Sequence, residues 1–173
     1  LEGNEVSFEV IDDTIVKISD GKSDFKLNSV KAEEYPDIDL DMQGTHISMT
    51  YNNFKDLVDQ TAFAASTRDQ RPILTALNLD CVDGELTATA TDSARLAKKS
   101  MTLSEKVNFS ANIPASIMSD VAHLLDEVEN ISMYVSDKKV VFELGQTIVV
   151  TRLINGEYPN TRHIIPHGCS YFL

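Results

Sequence analysis

Apolar and polar residues alternate at the start of the chain. Every second residue is apolar in Val6-Ser7-Phe8-Glu9-Val10, and two further short apolar stretches, at 15–18 and 25–30, follow polar turns. A period of two is typical of strands that bury one face, and short polar turns join antiparallel neighbours. Residues 1 to 31 therefore predict a three-stranded antiparallel meander.

Two later stretches have the helical period instead. The first can be capped by Asn52 or Asn53 and runs to about Ser66, and the second runs from Pro114 to Val128. Each follows one predicted strand and precedes several more. The chain thus repeats a strand–helix–strands unit, first in 46–101 and then in 107–153, and aligning Phe54 with Ile117 gives an offset of 63 (117 − 54).

A hairpin follows the first helix. The apolar run from Ile73 to Leu79 predicts its first strand, Asp83-Gly84 its turn and Glu85 to Ala90 its second strand. A polar bend from Thr91 to Leu96 comes next. Within it, Arg95 and Asp92 are most simply a surface ion pair or a turn clamp, and a binding role for Arg95 is the alternative.

A longer repeat relates the two ends of the chain. Val6 to Val10 matches Ile131 to Val135 at an offset of 125 (131 − 6), and Glu34-Tyr35-Pro36-Asp37 matches Glu157-Tyr158-Pro159-Asn160 at an offset of 123 (158 − 35). Residues 1 to 37 therefore resemble the tail of a domain whose complete copy follows. A repeat of this size indicates an array cut from a longer chain.

Composition predicts a globular cytoplasmic protein. Of 173 residues, 42% are hydrophobic and 24% charged, and no apolar run approaches the ~20 residues of a membrane span. The start is polar and lacks Met, which suggests a fragment without a signal peptide. Cys81 and Cys169 show no metal spacing, as expected in a reducing cytosol. The net charge of −12 by itself argues against nucleic acid.

No catalytic constellation emerges. The glycines are dispersed and Ser93 lacks a nucleophile elbow, while His163 and His167 flank a proline rather than share a helix face. The acidic stretch 37–41 suggests a calcium loop, but Met42 stands where that loop needs Gly. We expect no metal, no cofactor and no enzymatic activity.

The segment ATATDSARLA at 88–97, preceded by RPILTALNL at 71–79, resembles the middle domain of the bacterial sliding clamp, the beta subunit of DNA polymerase III. The resemblance covers nearly the whole chain. It implies an α+β DNA-clamp fold with antiparallel sheets outside and two helices per domain lining the inner face. It also implies three pieces: 1–45 as the second half of domain 1, 46–165 as domain 2 and 166–173 as the start of domain 3.

The resemblance implies a non-catalytic processivity factor for DNA replication. Such a homodimeric ring encircles duplex DNA and tethers the replicative polymerase, the clamp loader and repair polymerases through short peptide motifs. The implied peptide pocket consists of Leu74, Thr91, Ser93, Ala94, Arg95, Leu96, Pro159, His163 and Ile164. This chain departs from the commonest family residues at Ala94 and His163.

Two further surfaces are implied. Arg68 and Arg71 are the candidates for facing DNA, and Lys22, Phe25 and Leu27 for the subunit interface. A sliding ring needs only weak phosphate contacts, so an acidic outer face is compatible with it. The alternative is an adaptor domain that forms no ring and binds protein partners by a sheet edge, without DNA. A third domain in the parent protein would distinguish the two.

Overall fold

The computed structural model describes residues 5–68, 70–124 and 130–161. The chain divides into two compact units on either side of the Asp39–Leu40 bond. Within the described residues, no helix is long and apolar enough to cross a membrane. Those residues also contain no group of three or more His, Cys, Asp or Glu side chains that could hold a metal ion.

The first unit contains the predicted antiparallel meander. Its strands are β1 Ser7–Asp12, β2 Ile15–Ser19 and β3 Asp24–Asn28, paired in that order, followed by a short 3-10 helix, Ala32–Glu34. Acidic side chains close the turns: Asp12 accepts from the Thr14 amide at 2.7 Å, and Asp20 accepts from the Ser23 amide at 2.7 Å. The meander is confirmed.

One face of this meander is apolar and exposed. Register places Phe8 and Phe25 opposite Ile18, and Val10 and Leu27 opposite Val16. Phe8 and Val10 are 70% and 72% exposed, and Phe25 and Leu27 51% and 52%. The described residues of this unit thus leave a potential core face uncovered. β3 is also an edge strand there, and the interface role of Lys22, Phe25 and Leu27 stays a prediction.

Among its described residues, the second unit contains two four-stranded antiparallel sheets and two α-helices. Its elements are β4 Thr45–Thr50, α1 Tyr51–Asp59, β5 Ala76–Val82, β6 Glu85–Thr91, β7 Leu96–Thr102, β8 Phe109–Pro114, α2 Ala115–His123, β9 Asn130–Val135, β10 Lys139–Leu144 and β11 Thr147–Arg152. The sheet orders are β11-β10-β9-β4 and β7-β6-β5-β8. Short 3-10 helices, Ala62–Ala64 and Pro72–Thr75, connect α1 to β5.

The strand–helix–strands repeat is confirmed, and its halves exchange strands. β4 pairs with β9 of the second half, and β8 pairs with β5 of the first. The helices begin 64 residues apart (115 − 51), so the expected offset of 63 is wrong by one. Phe54 aligns with Met118 rather than Ile117, because Phe54 and Met118 are both fully buried.

The helices pack against the sheets to form the core. Phe54 of α1 meets Phe142 of β10 edge to face, with ring centroids 6.1 Å apart. Leu57 and Val121 are also fully buried, one on each helix. Because the apolar stripe of each helix covers sheet residues, burial of these side chains contributes to the stability of this unit.

Three predicted boundaries were wrong. Thr50 caps α1 by accepting from the Asn53 amide at 3.3 Å, so the helix begins before the expected cap. It ends at Asp59, and the buried Thr61 turns its hydroxyl back onto the Leu57 carbonyl. Leu74, expected within a strand that starts at Ile73, lies in a 3-10 helix that Pro72 begins, since proline favours the first helical position.

Gly44, which leads into β4, provides a test of this fold. Its φ is +113°, and a Cβ there would overlap the carbonyl oxygen of Val135. In the full-length protein, Gly44→Ala should lower the free energy of unfolding by more than about 2 kcal/mol, since strain and overlap combine. Urea titration followed by circular dichroism measures it.

Gly145 is the matched control. Its φ is +63°, and a Cβ there would meet nothing within 4 Å. Gly145→Ala should therefore cost only about 1 kcal/mol, the strain of a left-handed backbone. Equal losses at the two positions would contradict the close approach at Gly44.

Candidate functional site

The bend between β6 and β7 is built on one carboxylate. Oδ1 of Asp92 accepts from the amides of Ala94 and Arg95 at 2.9 and 3.0 Å. Ser93, which lies between Asp92 and Ala94, has a φ of +78°, which a non-glycine residue rarely adopts. Asp and Asn are the residue types that most readily form such turns, because their short side chains reach the amides that follow them. The turn clamp that the sequence predicted between Asp92 and Arg95 is therefore present.

The same carboxylate holds the Arg95 side chain. Nε of Arg95 donates to Oδ2 of Asp92 at 3.0 Å, and its Cζ lies 5.9 Å from the centroid of the Phe63 ring. The two backbone amides, followed by the charge and hydrogen bond of Arg95, hold the pKa of Asp92 below its ordinary value. The Arg95 side chain remains 56% exposed.

Thr91 connects this bend to a distant segment. It is 6% exposed, and its Oγ1 donates to the Arg95 carbonyl at 2.6 Å and accepts from the Ser93 amide at 3.2 Å. Its own amide donates to the Tyr158 hydroxyl at 3.0 Å. Burial raises the pKa of that hydroxyl, and the bond from Thr91 opposes the rise. The hydroxyl is therefore neutral at physiological pH.

The segment 153–161 reaches the bend by crossing the β8 edge of its sheet. The Ile154 amide donates to the Asn112 carbonyl at 2.8 Å, and Asn112 Nδ2 donates to the Gly156 carbonyl at 2.9 Å. Gly156, with a φ of +126°, lies against the Ile73 side chain. These contacts place Tyr158 beside Thr91, and Pro159 directly follows.

A groove of about 470 Å³ separates this segment from the exposed face of the sheet. Its sheet side is polar and includes Asn78, Thr87 and Lys98, and its other side is formed by residues 156–161. The groove is open, and polar side chains line most of it. Pro159, which is half-buried, is an apolar residue of the side formed by residues 156–161.

The structure brings together only part of the predicted pocket. Five of its residues share the β6–β7 bend: Thr91, Ser93, Ala94, Arg95 and Leu96. Pro159 follows the tyrosine bonded to that bend, while Leu74 is 4% exposed on its 3-10 helix. His163 and Ile164 lie outside the described residues. The pocket as a ligand site stays a prediction.

Three residues in this arrangement were missing from the predicted pocket. Asp92 was expected only in a surface ion pair or a turn clamp with Arg95, and Phe63 was assigned no role. Tyr158 carried a detectable signal, because the motif Glu-Tyr-Pro recurs around Tyr35. Nothing in the local pattern indicates that its hydroxyl contacts Thr91, which is 67 residues away.

The predicted DNA-facing arginines lie in a closed loop. The Ser66 amide donates to the Leu74 carbonyl at 2.8 Å, which closes the loop that carries Arg68 and Arg71. Both arginines are exposed, and neither pairs with a carboxylate among the described residues. Ser66 and Thr67 also line a cleft of about 570 Å³ beside the start of α2. The loop therefore presents two arginines that no carboxylate of the described residues neutralises.

The helices themselves offer little positive charge. Lys55 of α1 is paired with Asp59 at 2.6 Å, and the half-buried Lys99 of β7 lies 3.7 Å from Asp56 of α1. The described helix α2 contains an exposed Asp120 and no Lys or Arg. Any phosphate contact near the two helices would therefore depend on Arg68 and Arg71, in the loop closed by the Ser66–Leu74 bond.

Known proteins share this architecture. A crystal structure of the DNA polymerase sliding clamp from Bacillus subtilis matches with a TM-score of 0.83 and 32% identity, covering 94% of this chain and 44% of that chain. A Caulobacter crescentus beta sliding clamp matches with a TM-score of 0.83 and 29% identity, covering 95% and 46%. The predicted α+β clamp fold is thereby confirmed: the chain has the fold of a DNA clamp.

Sequence relatives identify the family. A family model described as DNA polymerase III beta subunit, central domain, matches residues 48–160. The beta sliding clamp of Halalkalibacterium halodurans is 33% identical over 171 residues, covering 96% of this chain and 45% of that protein. This chain belongs to the DNA polymerase III beta subunit family, and it spans less than half the length of the curated relatives it matches.

The bond between Tyr158 and Thr91 provides a second test. Tyr158→Phe in the full-length protein removes the acceptor and leaves a largely buried amide unpaired, so we expect a loss of about 1–3 kcal/mol in unfolding free energy. Hydrogen exchange at the Thr91 amide should accelerate. The control is Tyr35→Phe, since Tyr35 is 71% exposed. An unchanged exchange rate at Thr91 would argue against the bond.

Proposed function

We propose that the parent protein is a processivity factor of DNA replication, a ring that encircles duplex DNA and tethers the replicative polymerase. Membership of the beta subunit family through residues 48–160 carries this proposal. The ring would be a homodimer in the full-length protein, joined in part through Lys22, Phe25 and Leu27 of the first unit. It would act in the cytoplasm and perform no catalytic step itself.

The same proposal assigns each part of the chain to a domain of the clamp. Residues 1–45 would be the second half of one clamp domain, 46–165 a complete middle domain and 166–173 the start of a third. The meander β1-β2-β3 supports this, because it repeats β9-β10-β11 in strand order. In the second copy the corresponding apolar residues Met133 and Phe142 are fully buried. Phe8 and Val10 on the exposed face of the first unit would therefore be core residues that further residues of their own domain cover, whereas Phe25 and Leu27, on the edge strand β3, would meet the partner subunit.

The proposed peptide site lies where the β6–β7 bend meets the segment 153–161. Partners would include the replicative polymerase, the clamp loader and repair polymerases, each presenting a short motif with apolar residues. The half-buried Leu96 and Pro159 offer apolar contact, and the exposed guanidinium of Arg95 offers donors for main-chain carbonyls. Their convergence through the Tyr158–Thr91 bond supports a single site.

The proposed DNA contact is weak and independent of sequence. In α1, in α2 and in the described part of the loop after α1, Arg68 and Arg71 are the arginines, and both are exposed and pair with no described carboxylate. Two phosphate contacts give little affinity at physiological salt. A closed ring requires no more, because it leaves DNA by opening or by sliding off an end rather than by dissociating from phosphates.

The peptide site predicts graded losses in the full-length protein. Leu96→Ala should weaken binding of a fluorescent Gln-Leu-x-Leu-Phe peptide by about tenfold or more, since apolar anchors dominate such sites. Arg95→Ala should weaken it through lost hydrogen bonds. Fluorescence anisotropy measures both. Leu74→Ala should also weaken binding, but its burial means that its folding must be measured in parallel.

Asp120→Ala is the control, because Asp120 is exposed on α2 and belongs neither to the bend nor to the segment 153–161. Its peptide affinity should equal that of the wild type. Folded Leu96 and Arg95 variants that bind like the wild type would refute the pocket.

The DNA contact predicts a salt effect. Arg68→Ala combined with Arg71→Ala should shorten retention of the loaded full-length ring on nicked circular DNA. It should also reduce the slope of log retention against log salt by about one per arginine, since each phosphate contact releases counterions. Gel filtration of loaded complexes at several salt concentrations measures both quantities.

Lys55→Ala is the matched control, because Lys55 is already paired with Asp59. It should change the slope less than either arginine substitution. Equal retention of the double-arginine variant and the wild type would assign the loop a structural role only. Equal retention of the wild type on linear and circular DNA would argue against a ring and favour the adaptor alternative.

A further inference from the structure

The Arg95 guanidinium is fixed on one edge and one face. Its Nε is occupied by Asp92 Oδ2 at 3.0 Å, and the Phe63 ring lies 5.9 Å from Cζ. Its two terminal nitrogens donate to no group within residues 5–68, 70–124 and 130–161. An arginine has five donors in a rigid planar fork, so fixing Nε also fixes the directions of the other four.

Asp92 shapes the backbone and orients the side chain with separate oxygens. Oδ1 accepts from the amides of Ala94 and Arg95, and Oδ2 accepts from Nε. The side chain of Asp92 is 24% exposed, against 56% for Arg95. The carboxylate is thus the sheltered partner, and the guanidinium is the one presented outward.

Phe63 completes the support from another element. It follows α1, in the 3-10 helix Ala62–Ala64, and its side chain is 60% exposed although it is large and apolar. A cation over an aromatic face is attracted by the ring quadrupole. That contact gives a reason for an exposed phenyl ring at this place and restricts rotation of the Arg95 side chain.

We propose that Asp92 is a positioning residue for peptide recognition, which holds Arg95 by Nε over Phe63 and so directs its terminal donors at main-chain carbonyls of an extended peptide. This inference rests on the proposed peptide site. A fixed guanidinium loses less side-chain entropy when a ligand binds, so part of the cost of ordering is met before binding. Lysine could not replace Arg95, since a single ammonium cannot hold Asp92 and present a planar pair of donors.

Asp92→Asn separates the two functions of the carboxylate. Asparagine keeps an oxygen for the amides of Ala94 and Arg95, but its amide nitrogen cannot accept from Nε. In the full-length protein we expect the Gln-Leu-x-Leu-Phe peptide to bind about three- to tenfold more weakly. In the Arg95→Ala background, Asp92→Asn should cause no further loss, because the group it positions is absent.

A second readout does not depend on the peptide. In the wild type, solvent exchange of the Arg95 Nε proton should be slow in NMR spectra, and Asp92→Asn should accelerate it while the melting temperature changes little. Phe63→Leu keeps apolar bulk but loses the ring, so it should give a smaller acceleration and a smaller loss of affinity. Asp59→Asn breaks an exposed ion pair elsewhere, at Lys55, and should leave affinity unchanged.

The possible failures are distinguishable. If the wild type does not bind the peptide, the proposed site is wrong and the positioning role falls with it. If the wild type binds and Asp92→Asn binds equally well, only the positioning role is wrong. An equal loss from Asp92→Asn with and without Arg95 would also overturn it, because Asp92 would then act through the backbone alone.

Discussion

The exchange of strands between the two halves of the second unit is the constraint on which its structure depends. β4 completes the sheet of the second half, and β8 completes the sheet of the first. Each strand leads directly into the helix that covers the core, so Phe54 reaches Phe142 across the boundary between halves. Neither half can bury its helix alone, and the unit folds as a whole.

This exchange also creates the candidate site. β8 brings Asn112 to the outer edge of the first half's sheet, where its side chain and carbonyl hold the segment that leaves the second half. Tyr158 on that segment then reaches Thr91. The segment 153–161 of the second half reaches the bend of the first half along β8, so the arrangement depends on the exchange.

The sequence predicted the elements of this fold better than their ends. Alternation and helical spacing located the strands and both helices, because both helices and most strands of the second unit bury one face, and β1 and β3 have the same alternation although they are exposed. They failed at Leu74, where Pro72 favours a helical turn, and at the end of α1, where Thr61 redirects its hydroxyl. The resemblance supplied most residues of the proposed pocket, but Phe63 and Tyr158 contact the bend from distant elements, which no local pattern encodes.

The chain is acidic, but contact with DNA depends on the charges near the phosphates rather than on the net charge. The net charge of −12 is a sum over the sequence, whereas phosphate contact depends on charges within about 8 Å at physiological ionic strength. On α1, Asp59 is paired with Lys55, whereas Arg68 and Arg71 lie in the loop that the Ser66–Leu74 bond closes. Acidic residues more distant than that screening length oppose DNA only weakly. A ring retained by topology can therefore carry a large negative charge, provided that its few positive groups face the duplex.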